Sequence, residues 1–298
     1  MTEYTWLAAA YAAVGILVVG LGVRIYLIAR LPMHLRWELA PVPHERAKQG
    51  HGGSCFEETD FWTRPRERSR VGETIYMLKE IFLLHTVRKH NGRIWPFTLA
   101  FHSGIYCLVF MAFFLLAAAL LNALGYGAAA ALLEWPSRVL GGLAYLLGTV
   151  GVLGMLGLRI FSRALRSFSG LAAYLNLAVL LALFASGGAG MLSGSGFMDD
   201  MREFFNAALL VRPGLAPGMP AAVHLGAGLF FIALLPFTSM VHFAAKFFTF
   251  HSVLWDDRAM DASMELKVKA LLCQHVGWSS AHLGADGKKN WIDVVKGE

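Results

Sequence analysis

The sequence predicts an all-α membrane protein, a five-transmembrane-helix bundle, and three observations predict it. First, 56% of its 298 residues are hydrophobic and 15% charged, with a mean hydropathy of +0.53. A soluble domain carries about a quarter charged residues. Second, five stretches reach the ~20 apolar residues a helix needs to cross the hydrocarbon core. Third, the 31 glycines lie among apolar neighbours, as in close-packed membrane helices. These figures exclude a disordered tail, a collagen-like rod and an ordinary cytosolic enzyme. Three cysteines, Cys55, Cys107 and Cys273, form no CxxC pair. That excludes a disulfide framework, and a zinc ribbon or iron–sulfur cluster held by this chain alone.

The first span runs from Trp6 to about Ile28, with no charge before Arg24. It lacks the basic n-region and A-x-A site of a secretory signal, so it reads as a retained helix. The second runs from Ile94 to Leu121, the third from Leu140 to Leu158, the fourth from Leu171 to Leu192. The fifth is expected to run unbroken from Ala221 to Ala245, just before Lys246. No internal repeat is visible, which disfavours an inverted-repeat transporter.

Orientation follows from the loop cations. The stretch Arg24 to Arg93 carries 13 of the 26 Lys and Arg. Arg159, Arg163 and Arg166 follow the third span, and seven more lie from Lys246 onward. Only Arg138, Arg202 and Arg212 fall on the other side. The N-terminus is therefore expected outside and the C-terminus in the cytoplasm, as in an inner-membrane, multi-pass protein. The basic pI of 9.3 then implies no nucleic acid. It implies a basic surface beside anionic lipid or a partner.

Residues 1–250 form the expected membrane domain, including a cytoplasmic loop over 31–93. That loop opens with Pro32, Pro41 and Pro43 and passes a glycine-rich stretch and an arginine run, which signal irregular chain. Over about 72–90 the pattern turns helical. Ile75, Leu78, Ile81, Phe82 and His85 share one face, as in a helix lying along the interface. The loop Ser193 to Pro220 has an acidic piece, Asp199, Asp200 and Glu203, able to cap the outer end. Residues 251–298 form a cytoplasmic tail with a short helix (Met264 to Gln274), Trp278 and Trp291, which points to partner docking.

Only three of the 11 histidines lie inside spans: His102 on the second, His224 and His242 on the fifth. Intramembrane ionisable residues are costly and mark function. On one straight helix an 18-residue spacing is a whole number of turns and about 27 Å. The two histidines would then share a face, one near each side of the core. His102 lies about two turns in from the cytoplasm and His242 about one, so they match in depth. A bis-imidazole haem needs two such histidines on facing helices. They are the expected metal ligands, with Gly104 letting the macrocycle approach. Arg93 or Trp95 would bond the propionates. His224 has no histidine at its depth; it is either an outer ligand or a group bonding a quinone carbonyl. The bland alternative is that all three merely bond neighbouring helices. His34, His44, His51, His275 and His282 read as solvent-side residues. His85, His90 and His251 fall near the inner interface.

The run Thr98-Leu-Ala-Phe-His102-Ser-Gly-Ile, with Val223-His224-Leu and Leu235-Pro236-Phe237-Thr238-Ser239-Met240-Val241-His242, resembles the gamma, cytochrome b subunit of respiratory nitrate reductase. The resemblance covers about Trp6 to Phe250, with its specific content on the second and fifth spans. It implies five helices, an outside N-terminus, and a haem b on His102 and His242. His224 matches the family's outer ligand on the fifth helix. The family's second histidine on helix two lies ten residues after the first, and here that position is Ala112. The adjacent Met111 points about 100° away.

The long loop and the Gly284 to Trp291 tail are closer to cytochromes b of sulfur-metabolism membrane complexes. The resemblance there implies a cytoplasmic iron–sulfur subunit of the heterodisulfide-reductase type, often with a periplasmic cytochrome c and further membrane subunits. The expected function is electron transfer between the quinone pool and that partner, as a subunit of a quinone-linked oxidoreductase. The rivals are a cofactor-free membrane anchor and a small transporter or channel. The spans carry almost none of the charges a transporter or channel would favour.

Overall fold

The computed structural model describes residues 4–30, 70–194, 196–251 and 262–297. The expected irregular loop over 31–69, with His34, His44 and His51, lies outside the described residues. Helices dominate: α1 Thr5–Ala29, α2 Arg70–Leu83, α3 His85–His90, α4 Trp95–Ala123, α5 Gly127–Ala131, α6 Glu134–Phe161, α7 Arg163–Ser167, α8 Leu171–Leu192, α9 Phe197–Leu210, α10 Met219–Leu234, α11 His242–His251, α12 Ala262–Leu272 and α13 Trp291–Lys296. Five helical stretches are long and apolar enough to cross a membrane, given by α1, α4, α5 with α6, α8, and α10 with the turn after it. The protein is an all-α, multi-pass membrane bundle.

Two compact units emerge. One comprises Met1–Ile25 with Thr74–Phe243, the other Tyr26–Glu73 with Ala244–Glu298.

In the first unit the core is built on α6, whose buried residues recur every three or four positions: Ser137, Gly141, Ala144, Tyr145, Gly148, Gly151, Val152 and Met155. That spacing is one helix face. Its small residues bring backbones together, the membrane substitute for a hydrophobic driving force. A Cβ on Gly104 of α4 would stand 2.6 Å from Gly148 N and 2.9 Å from Ala144 O. Gly104 therefore serves the α4–α6 contact and not the approach of a macrocycle expected from sequence. On α6, the Gly148 position is covered by the Phe184 ring of α8, which is completely buried.

The chain between the fourth and fifth spans forms a helix of its own, α9. Asp199 and Asp200 fall in its first turn, where carboxylates suit the helix dipole. Phe197, Met198, Met201, Phe204 and Ala207 bury one side. The other side carries ion pairs: Arg202 binds Glu134 and also Asp199 (3.0 Å), and Arg138 reaches Asp199 at 3.2 Å. Asp200 accepts the Gly218 N–H at 2.9 Å, fixing the loop into α10. The acidic piece thus clamps one end of the bundle.

The predicted interfacial helix breaks in two at Leu84, a left-handed residue (φ 48°). The apolar side chains Ile75, Leu78 and Phe82 of α2 are exposed, while Glu80 is buried. Glu80 accepts the Thr86 N–H (2.8 Å) and hydroxyl (2.5 Å), tying α2 to the first turn of α3. An outward apolar face of this kind suits a bilayer surface. By contrast α1 is loosely held, with only 6% of its apolar stretch buried against the bundle.

In the second unit, the tail residues form a small motif. The strands β1 (Ser279–Ser280) and β2 (Ala285–Asp286) pair antiparallel. Val276 is buried, Trp278 meets Trp291 edge to face at 5.9 Å, and Asn290 with Asp293 forms a capping box for α13. His275 and His282 are exposed, as expected.

Candidate functional site

The two inner histidines come together. The ring centres of His102 and His242 lie 6.2 Å apart with planes at 76°. His102 occupies the third turn of α4, which starts with Pro96 in its first turn, where a missing N–H costs nothing. Its Nδ1 donates to the Thr98 carbonyl at 2.7 Å. His242 opens α11, and its Nδ1 donates to the Ser239 carbonyl at 3.2 Å. A carbonyl oxygen only accepts, so both Nδ1 atoms carry the proton and both lone pairs sit on Nε2. Such a second hydrogen bond is what orients a ligating imidazole.

The separation fits a shared metal. Two imidazoles bound through Nε2 on opposite sides of one ion, with metal–nitrogen bonds of about 2 Å, place ring centres roughly 6 Å apart. Two imidazoles fill only part of a metal's coordination sphere, and a group bringing further nitrogens of its own would complete it. Phe101 and Tyr106 flank His102, with ring centres at 4.1 and 6.4 Å. Tyr106 is tied to α2 through its hydroxyl on the Ile81 carbonyl (2.7 Å).

The path to this pairing differs from the straight helix expected from sequence. The fifth span is broken. The helix α10 ends at Leu234, tight turns cover Leu235–Phe237 and Ser239–Val241, and Thr238 between them is extended (φ −113°, ψ 169°). Pro236 lacks the N–H a helix needs, and the Thr238 hydroxyl captures the Met240 N–H at 3.2 Å. The 18-residue register between His224 and His242 therefore does not hold. His242 meets His102 because the break re-aims it.

His224 is 5% exposed and fully engaged with protein. Its Nε2 lies 3.1 Å from the Tyr145 hydroxyl of α6, and its Nδ1 3.1 Å from Ser186 Oγ of α8. Ser186 donates to the Leu183 carbonyl (3.0 Å), so Nδ1–H donates to Ser186, and Tyr145 O–H donates to Nε2. In this assignment every group of the trio is satisfied. The rings of Tyr145 and Phe197 lie 5.1 and 5.5 Å from the imidazole. Gly187 and Gly190 make the room, since a Cβ on either would overlap these two rings. The sulfur of Met111 lies 3.8 Å from the Tyr145 hydroxyl and faces that residue, not His224. No ring nitrogen of His224 is left for iron, and the outer haem position does not fit.

The two alternative propionate partners sit at the start of α4. The Trp95 indole N–H donates to the Leu83 carbonyl (2.8 Å), with Arg88 over its ring at 5.1 Å. Arg93 is exposed ahead of α4. Tyr145 and Ser186 were not singled out in the sequence, and Arg24, inside the first span, was counted only among the loop cations. Each is a polar side chain inside an apolar stretch, which was the available signal.

No protein-family model, no curated protein and no solved structure matches the chain.

Proposed function

We propose that this chain is a haem b membrane subunit, moving electrons between a quinone pool and a cytoplasmic iron–sulfur partner or a periplasmic cytochrome c. The observation that carries the reading is the His102–His242 pair, with its 6.2 Å ring separation and both Nδ1 protons fixed on carbonyls. The haem, when bound, supplies a one-electron couple. The protein's part is ligation, orientation and insulation. His102 and His242 would hold the haem through their Nε2 atoms. Phe101 and Tyr106 line the ligand, and the apolar helices keep water from it. The loop cations, sorted to one side, make the cytoplasmic face a docking surface for an acidic partner. The inner membrane is the location this implies.

A single haem is expected, because Tyr145 and Ser186 occupy the nitrogens of His224. A reduced-minus-oxidised spectrum with haem quantification on the purified chain tests this. One low-spin haem per chain is the expected result, lost in His242→Ala and in His102→Ala. A chain without Soret and alpha bands is a cofactor-free anchor. Two haems would mean that the trio around His224 opens.

A further inference from the structure

The break after α10 is where a membrane helix gives up its own hydrogen bonds, and a neighbouring helix satisfies one of the freed carbonyls. An unbroken helix would send the Met240 N–H to the Pro236 carbonyl. Here that N–H goes to Thr238, and the Pro236 carbonyl is taken by Arg24 Nε of α1 at 3.1 Å. Asn176 of α8 donates to the Ser239 hydroxyl at 3.2 Å. The Ser239 carbonyl in turn receives the backbone N–H and the ring Nδ1 of His242. A chain of contacts therefore runs from α1 to the histidine. Although α1 is otherwise loosely packed, it presses closely here: a Cβ on Gly20 would stand 2.6 Å from Pro236 Cβ. A guanidinium within an apolar span is costly and calls for a partner. Backbone groups freed by a proline must be satisfied by neighbours.

We propose that Arg24 is a positioning residue for His242. By holding the Pro236 carbonyl it fixes the course of 236–239, and with it the carbonyl that aims the His242 ring at His102. The proposal rests on the haem reading above. Its role is to hold a ligand's orientation, so its loss disturbs the spectrum before it disturbs the fold.

The test uses the full chain in nanodiscs, as wild type, Arg24→Gln, Arg24→Lys and Tyr11→Phe. Tyr11 anchors α1 elsewhere, through its hydroxyl on the Ala208 carbonyl at 2.5 Å. Arg24→Gln is expected to convert part of the low-spin haem signal to high spin and to shift its midpoint potential. Arg24→Lys, which keeps a long donor, is expected to restore most of the wild-type spectrum, and Tyr11→Phe to leave it unchanged. In haem-free protein, amide exchange at Ser239 to His242 is expected to quicken in Arg24→Gln alone. A wild-type spectrum and exchange pattern in Arg24→Gln overturns the proposal. The same shift in Tyr11→Phe also overturns it, by assigning the effect to α1 attachment in general. A wild type that binds no haem defeats the haem reading instead, and the exchange measurement still decides whether Arg24 holds the break.

Discussion

A histidine inside a membrane has two ways to be stable: give a nitrogen to a metal, or satisfy both nitrogens with protein. In the proposed reading this chain uses both. At His224 the second solution is complete, and the prediction follows at that scale. Tyr145→Phe removes the donor to Nε2 and is expected to cost about 1 kcal/mol of stability, read by denaturant unfolding in detergent. The haem spectrum should stay as it is; its loss would show that the outer residues serve the cofactor after all. The pairing of His102 with His242 was legible in the sequence from depth alone. The partners of His224 were not, because neither of them is a histidine. Tyr145 and Ser186 lie on two other helices, at positions that only the packing of α6 and α8 brings together.

At the scale of the element, α6 offers a contrast within one helix. At Gly148 a Cβ would overlap the Phe184 ring, whereas at Gly157 nothing lies within 4 Å. Gly148→Ala is expected to destabilise by about 1–3 kcal/mol through overpacking. Gly157→Ala is expected to be neutral or slightly stabilising, since alanine is the better helix former. Equal effects at both sites would contradict the α4–α6–α8 packing. The C-terminal hairpin gives a pH prediction. The Lys288 and Lys289 backbone N–H groups bond Asp286 at 2.8 and 2.9 Å and hold its carboxyl below the usual carboxylate range. A depressed native pKa contributes stability above the unfolded value, and that contribution is lost as pH falls through the native one. Amide protection at Lys288 and Lys289 is therefore expected to be constant from neutrality to about pH 4 and to fall below it. Protection that falls between pH 7 and 5 would rule out Asp286 as the cause. Span number and length were legible because a bilayer demands ~20 apolar residues and little else. The break at Pro236 was not. Membrane helices tolerate proline when neighbours re-satisfy the backbone, and here Arg24, which takes the Pro236 carbonyl, is 212 residues away, while Asn176, on the Ser239 hydroxyl, is 63 away.

For the whole molecule, the proposed single haem predicts a redox titration with a single one-electron wave. Two waves would require a second centre. The far half, filled by the His224 trio and clamped by α9, would then act as an insulator. A last consequence concerns the order of assembly. The intimate α4–α6 contact is made of backbone against backbone and needs no cofactor, so these two helices can associate as soon as both are inserted. Of the spans, α1 is synthesised first yet has the fewest side chains with which to grip the rest, and its most specific grip, on Pro236, does not exist until the fifth span has arrived. The earliest helix therefore waits in lipid for the latest one. In the proposed reading, haem capture would be a late checkpoint of biogenesis, completed only when the two ends of the membrane chain meet.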